Sequence, residues 1–254
     1  MTRPAQWLRP EILQGAAYHV ADSRGMIKLD AMENPYPLPE SLRAGWLTAL
    51  SGVALNRYPD PQAEALRAQL CAQLGLGDDM GLLLGNGSDE LIQLLHIAVA
   101  SPGRTILAPT PTFVMYKLLA DALGLRFAGV PLAADFSLDL PAMLAAITEH
   151  QPAIVWLAYP NNPTGNLFDS EAMHAIIRAA PGLVVVDEAY SAFSGGHSFL
   201  GELGRYPNLL VMRTLSKQGF AGLRLGLLAG PQHWIGELDK LRLPYNLNVL
   251  TQVS

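Results

Sequence analysis

The chain has 254 residues, is 50% hydrophobic and 15% charged, and carries a formal net charge of −5. This length suits one large domain or two small ones, and the composition supports a sizeable core and excludes a disordered chain. The acidic balance argues against a nucleic-acid or acidic-membrane partner.

One cysteine, Cys71, excludes an internal disulfide and a thiolate metal cluster. It falls in a helical pattern, as a packed thiol would, and a reducing, cytoplasmic setting fits. The N-terminal segment from Met1 to Trp7 lacks the apolar core of a signal peptide. No apolar run approaches the roughly 20 residues of a membrane helix. The six histidines have no metal-ligand spacing, so no metal is expected.

Residues 1–50 are proline-rich, as in Glu33-Asn34-Pro35-Tyr36-Pro37-Leu38-Pro39, which predicts an extended arm. Arg57-Tyr58-Pro59-Asp60-Pro61 reads as a polar surface turn before a helix over 62–74. Short apolar runs then recur at 81–84, 105–108, 125–130, 153–158, 183–186, 208–212 and 225–229. Near-continuous runs of this length predict strands covered on both faces. Helical patterns lie between them at 89–100, 112–123, 140–149 and 170–180, the first with Ser88 as its expected N-cap. The alternation predicts an α/β fold with a doubly wound, mostly parallel, seven-stranded sheet.

In such sheets, ligands bind beyond the carboxyl ends of the strands. Five strand ends there carry chemistry. Gly85-Asn86-Gly87-Ser88-Asp89-Glu90 is either an anion site at a helix N-terminus or an ordinary strand-to-helix turn. Glu90 stands where a dinucleotide fingerprint has its third glycine. Phe113, after Pro109-Thr110-Pro111-Thr112, suits a stacking ring or the core. Tyr159-Pro160-Asn161-Asn162-Pro163-Thr164-Gly165 is a rigid loop that aims an amide. Asp187 ends an apolar strand, where an acid is costly unless paired, by a pyridinium nitrogen or by a cap or salt bridge. Tyr190 is three residues on. Lys217 follows the sixth run, with Ser216 before it and Arg224 seven positions later. A buried or cation-flanked lysine has a lowered pKa and attacks carbonyls. Ser216 and Arg224 suit a phosphate on the same ligand. Pyridoxal 5′-phosphate (PLP) needs both.

Together these segments resemble the fold-type I, PLP-dependent aminotransferases, and most closely their histidinol-phosphate aminotransferase branch. Asn161-Asn162-Pro163-Thr164-Gly165 and Ser216-Lys217 mark the superfamily; Glu33-Asn34-Pro35-Tyr36 and Arg57-Tyr58-Pro59 point to the branch. The resemblance covers essentially the whole chain. It implies that Lys217 forms the Schiff base and shuttles a proton, that Asp187 pairs with the ring nitrogen, and that Asn162 and Tyr190 bond the ring oxygen. Phe113 stacks where the family often has tyrosine. The Gly87 turn, the backbone amides at Ser88 and Asp89, Ser216 and Arg224 hold the phosphate. Tyr58 reaches the neighbouring subunit's phosphate, implying a homodimer, and Asn34 and Tyr36 lie near the substrate. The implied partners are a phosphorylated amine or amino acid and a 2-oxo acid; the implied reaction joins histidinol phosphate and 2-oxoglutarate in histidine biosynthesis. Residues 1–50 are then an arm and part of a small domain, and 51–254 a PLP-binding large domain. Relatives continue past a stretch like Pro244-Tyr245-Asn246-Leu247-Asn248 into a segment with a substrate-binding arginine, so an incomplete small domain with exposed apolar surface is expected here. A related enzyme such as a threonine-phosphate decarboxylase, or a non-catalytic PLP-binding chain, is compatible with the same residues.

Overall fold

The computed structural model describes residues 3–254; Met1 and Thr2, the start of the expected arm, lie outside the described residues. Seven strands form one sheet: β1 (Met80–Asn86), β2 (Thr105–Thr110), β3 (Arg126–Pro131), β4 (Ile154–Ala158), β5 (Leu183–Asp187), β6 (Leu209–Thr214) and β7 (Leu225–Pro231). Their spatial order is β1-β7-β6-β5-β4-β2-β3. The pairs among β2 to β6, and β2 with β3, are parallel, whereas β7 runs antiparallel to both β1 and β6. Only residues 215–224 join β6 to β7, too few for the crossover that a parallel pair requires.

Alternate side chains of each strand enter different cores, as the two-residue period of a strand demands. Ile154, Trp156, Leu183 and Val185 pack on one face. There they meet α4 (Ser88–Val99), α5 (Val114–Leu123) and α8 (Gln232–Asp239). Val155, Leu157, Val184 and Val186 face the other way, onto α6 (Leu140–His150) and α7 (Ser170–Ala179). A smaller core sets α3 (Glu64–Leu74) against Leu82, Leu84, Leu225 and Leu227. Edge strand β3 buries only Val130. Asp139 and Asp169 cap α6 and α7 by accepting from Ala142 and Ala172 N–H.

Two expectations are corrected. The first 50 residues are not wholly extended, because α1 (Pro10–Gln14) and most of α2 (Glu40–Ser51) lie there. Pro35, Pro37 and Pro39 hold the chain open just before residue 40, but no proline follows until Pro59, so a helix forms after Pro39. Ser88 is not the N-cap of α4 but its first helical residue; Gly87 caps it, with φ +83° and no side-chain bond. Close packing dictates this turn: a Cβ on Gly226 would lie 2.5 Å from the Gly87 carbonyl carbon and 2.7 Å from Ser88 N. A short helix α9 (Val249–Val253) meets α2 through a hydrogen bond from Trp46 Nε1 to Ser254 Oγ, 2.9 Å. Leu42, Leu47, Leu250 and Val253 on these two helices are exposed.

Candidate active site

The five expected strand ends, and the start of β7, meet at one cleft. Ser88 and Asp89 enter it from β1, Phe113 from β2, Asn162 from β4, Asp187 and Tyr190 from β5, and Ser216 and Lys217 from β6. Arg224 enters from the opposite chain direction because β7 is reversed.

Asp187 ends β5 with its side chain buried. Oδ1 accepts the Ala189 N–H at 3.0 Å and Oδ2 accepts the Tyr116 hydroxyl at 2.6 Å. Burial pushes the carboxyl up to about 6, while these two hydrogen bonds act to lower it. Among the described residues no cation lies within ion-pair distance of it. Its neighbour Glu188 differs: it is fully buried but paired with Arg213 Nε and Nη2 at 2.9 and 2.8 Å, and it accepts from Ser198 and from Phe199 N–H. Asp187 therefore faces the cleft with unused acceptor capacity, and Glu188 braces the wall.

Lys217 is half-buried, and burial holds its amine below the usual lysine range. Nζ donates to the Ala31 carbonyl at 2.6 Å, and it lies 5.5 Å from the centre of the Tyr190 ring. Burial, then the Asp187 charge, raises the Tyr190 phenol. A deprotonated amine with a free lone pair is the form that attacks a carbonyl.

Arg224 sits in the left-handed region, φ 52°, and its guanidinium lies over Gly87. Its nitrogens reach Ser216 Oγ and Asp89 Oδ2, each at 3.4 Å. A Cβ on Gly87 would lie 2.4 Å from Arg224 Nη2, so only glycine leaves this approach open. The first amides of α4 have no intrahelical acceptor and carry the positive end of the helix dipole. Guanidinium, hydroxyl and helix amides together make a site for a phosphate-sized anion.

The loop after β4 divides its two asparagines. Asn161 is buried and structural: Nδ2 donates to the Pro111 carbonyl at 3.1 Å and to Thr164 Oγ1 at 2.7 Å. Asn162 is left to line the cleft. Glu90 is tied up by Asn86 N–H and Asn246 Nδ2, which explains an acid there in place of a third glycine.

Three expected residues are not gathered into this cleft. Tyr58 is 81% exposed and stacks on Tyr245, ring centroids 4.5 Å apart. Tyr36 is 79% exposed, and Asn34 lies beside Gly219, lining a neighbouring cavity that also takes in Lys217 and Gln218. Tyr116 was not expected. It lies in a helix with an apolar face, and its hydroxyl contact to Asp187 joins positions 71 residues apart, with no local pattern to announce it.

No described helix is long and apolar enough to cross a membrane, and no described cluster of His, Cys, Asp or Glu is placed to hold a metal ion.

The sequence model for aminotransferase class I and II matches residues 24–254. A protein from Nitrosococcus oceani named histidinol-phosphate aminotransferase 2 is 61% identical over 99% of this chain and 70% of its own length. One from Ralstonia nicotianae, histidinol-phosphate aminotransferase 1, is 57% identical over 97% of this chain and 67% of its own. The fold matches the crystal structure of histidinol-phosphate aminotransferase from Sinorhizobium meliloti in complex with pyridoxal-5′-phosphate, with TM-score 0.84 at 24% identity, covering 97% of this chain and 69% of that one. Matched to the family over all but its first 23 residues and more than half identical to such relatives, the chain belongs to the class I and II aminotransferases.

Proposed function

We propose that this chain is a PLP-dependent aminotransferase that moves an amino group between histidinol phosphate and 2-oxoglutarate in histidine biosynthesis. The observation that carries the chemistry is one cleft holding a half-buried amine, Lys217, and a buried carboxylate without a cation, Asp187. The names of the two relatives support the substrate. The residues present fit the cofactor. A buried acid lacking a cation suits a protonated ring nitrogen, and the set around Gly87 suits a phosphate. When bound, PLP supplies an aldehyde and an electron-withdrawing ring.

The chain's own residues divide the remaining work. Lys217 Nζ takes the proton from the substrate α-carbon and would deliver it to the aldehyde-derived carbon of the cofactor, C4′. Asp187 keeps the ring nitrogen protonated by its charge. Asn162 and Tyr190 hydrogen-bond the ring oxygen, and Phe113 covers the ring face. The Gly87 turn, the backbone amides of Ser88 and Asp89, the Ser216 hydroxyl and the Arg224 guanidinium hold the phosphate. Tyr58, exposed here, serves the site of a second copy, so the working form is a homodimer, placed in the cytoplasm. Asn34 and Tyr36 contact the substrate. Residues 51–254 form the cofactor-binding domain, while residues 1–50 belong to an arm and a small domain to which α2 contributes.

The test loads the chain with PLP, adds histidinol phosphate and follows the visible cofactor band. Loss of the band, absent in Lys217→Ala, is expected. A band that persists, or carbon dioxide released from threonine phosphate instead, would overturn the assignment.

A further inference from the structure

Behind Asp187 stands a side chain that none of these roles uses. Tyr116 of α5 is fully buried and donates to Asp187 Oδ2 at 2.6 Å. Its ring lies flat on Trp156 of β4, centroids 4.5 Å apart and planes 10° apart, and Phe113 meets it edge-on at 5.7 Å. The ring therefore has little freedom, and its hydroxyl is aimed by packing at one carboxylate oxygen. The Ala189 N–H bonds the other oxygen.

We propose that Tyr116 is a positioning residue: by donating to Oδ2 it fixes the plane of the Asp187 carboxylate and keeps it an anion facing the protonated ring nitrogen. This rests on the PLP reading above. Hydrogen bonds donated to a carboxylate favour its charged form, whereas burial favours the neutral acid. The other ionisable groups whose charge acts on Asp187 are Asp89 on α4 and Glu188 beside it, and both oppose its ionisation. Tyr190 faces it from the loop after β5, and its own ionisation is disfavoured by Asp187. Lys217 and Arg224 share the cleft from the β6–β7 link without touching it. With the Tyr116 hydroxyl gone, one backbone N–H remains as a donor to this buried acid. Tyr116 does not become a competing anion, because burial and Asp187 hold its proton firmly.

The experiment measures PLP affinity of the 254-residue chain and the pH profile of its visible band, for the unaltered protein, Tyr116→Phe, Asp187→Asn and the double variant. Tyr116→Phe removes one oxygen from a ring that stays stacked. Expected is a dissociation constant raised about tenfold with an altered band profile, and no further loss when the change is made in Asp187→Asn. Equal losses in both backgrounds would mean plain packing and overturn the inference, as would unchanged affinity. If the unaltered chain fails to take PLP, the cofactor reading falls and this inference with it. If instead it binds and Tyr116→Phe binds equally, only this inference falls. Should Tyr116→Phe not fold, carbon-13 NMR of labelled aspartate in the loaded protein reads Asp187 directly, with the signal assigned by its loss in Asp187→Asn. An ionised carboxylate at neutral pH is expected, and a protonated one overturns the proposal.

Discussion

Asp187 holds its proton more tightly folded than unfolded, since burial lifts it from 3.8 to about 6. Between those values the native chain binds more protons than the unfolded one, so this group's contribution to stability falls as pH rises through that window. Above about 6 the buried charge is carried in full. Asp187→Asn avoids that cost, and the Tyr116 hydroxyl can turn to accept from the new amide. Ligand-free Asp187→Asn should therefore gain on the unaltered chain by on the order of 3 kcal/mol between acidic and neutral pH, read by urea unfolding at each pH. PLP affinity should fall in the same variant, separating what this acid does for the fold from what it does for the site. Gly87 gives a second residue-scale prediction. A methyl there displaces the Arg224 guanidinium, which is flexible, and is strained by the positive φ. Gly87→Ala should cost about 1–2 kcal/mol in unfolding and weaken PLP binding at least about tenfold, measured by equilibrium dialysis.

The elements are held by contacts of different strength. Glu188 and Arg213 tie the end of β5 to β6, and Ser198 and the Phe199 N–H complete the acid's bonds. Arg213→Met leaves Glu188 fully buried without its cation and should cost about 3–5 kcal/mol by denaturant midpoint. Glu188→Gln in the same background should recover part of that loss. The seven strands were legible because each carries a short apolar run, nearly unbroken and buried on both faces in the interior strands and reduced to one buried residue, Val130, in edge strand β3. The helices between them were legible within two residues at most ends. Helix α2 was not, because it buries no residue and Leu42 and Leu47 lie in solvent, so the prolines before it dominated the pattern. The start of α4 was misread by one position because Ser88 has the chemistry of a cap, while the approach of Gly226 moves the turn to Gly87.

For the whole molecule, the cleft was legible wherever its residues follow a strand directly, as Asn162, Asp187 and Lys217 do. It was illegible where a contact spans the fold, as from Tyr116 to Asp187, or where a residue is turned to the outside, as Tyr58 is. The proposed homodimer, with its shared sites, predicts complementation. Chains carrying Lys217→Ala and chains carrying Tyr58→Ala, each inactive alone, should regain activity when dissociated and remixed, because one of the two sites in a mixed dimer is then intact. Sedimentation should show the dimer, and mixtures that stay inactive would tell against the exchange of Tyr58. The reversal of β7 has a consequence for how such a protein changes over time. Asn162, Asp187 and Phe113 each hang from a separate strand, and the loops that follow can lengthen one at a time without disturbing the rest. Lys217 and Arg224 share a single link whose two ends are pinned by the register of β6 and β7, from Thr214 opposite Gly226 onward. An inserted residue there shifts the amine and the guanidinium together. Sequence drift is therefore free to reshape what the cleft accepts, while the spacing from amine to anion site stays locked to the length of one turn.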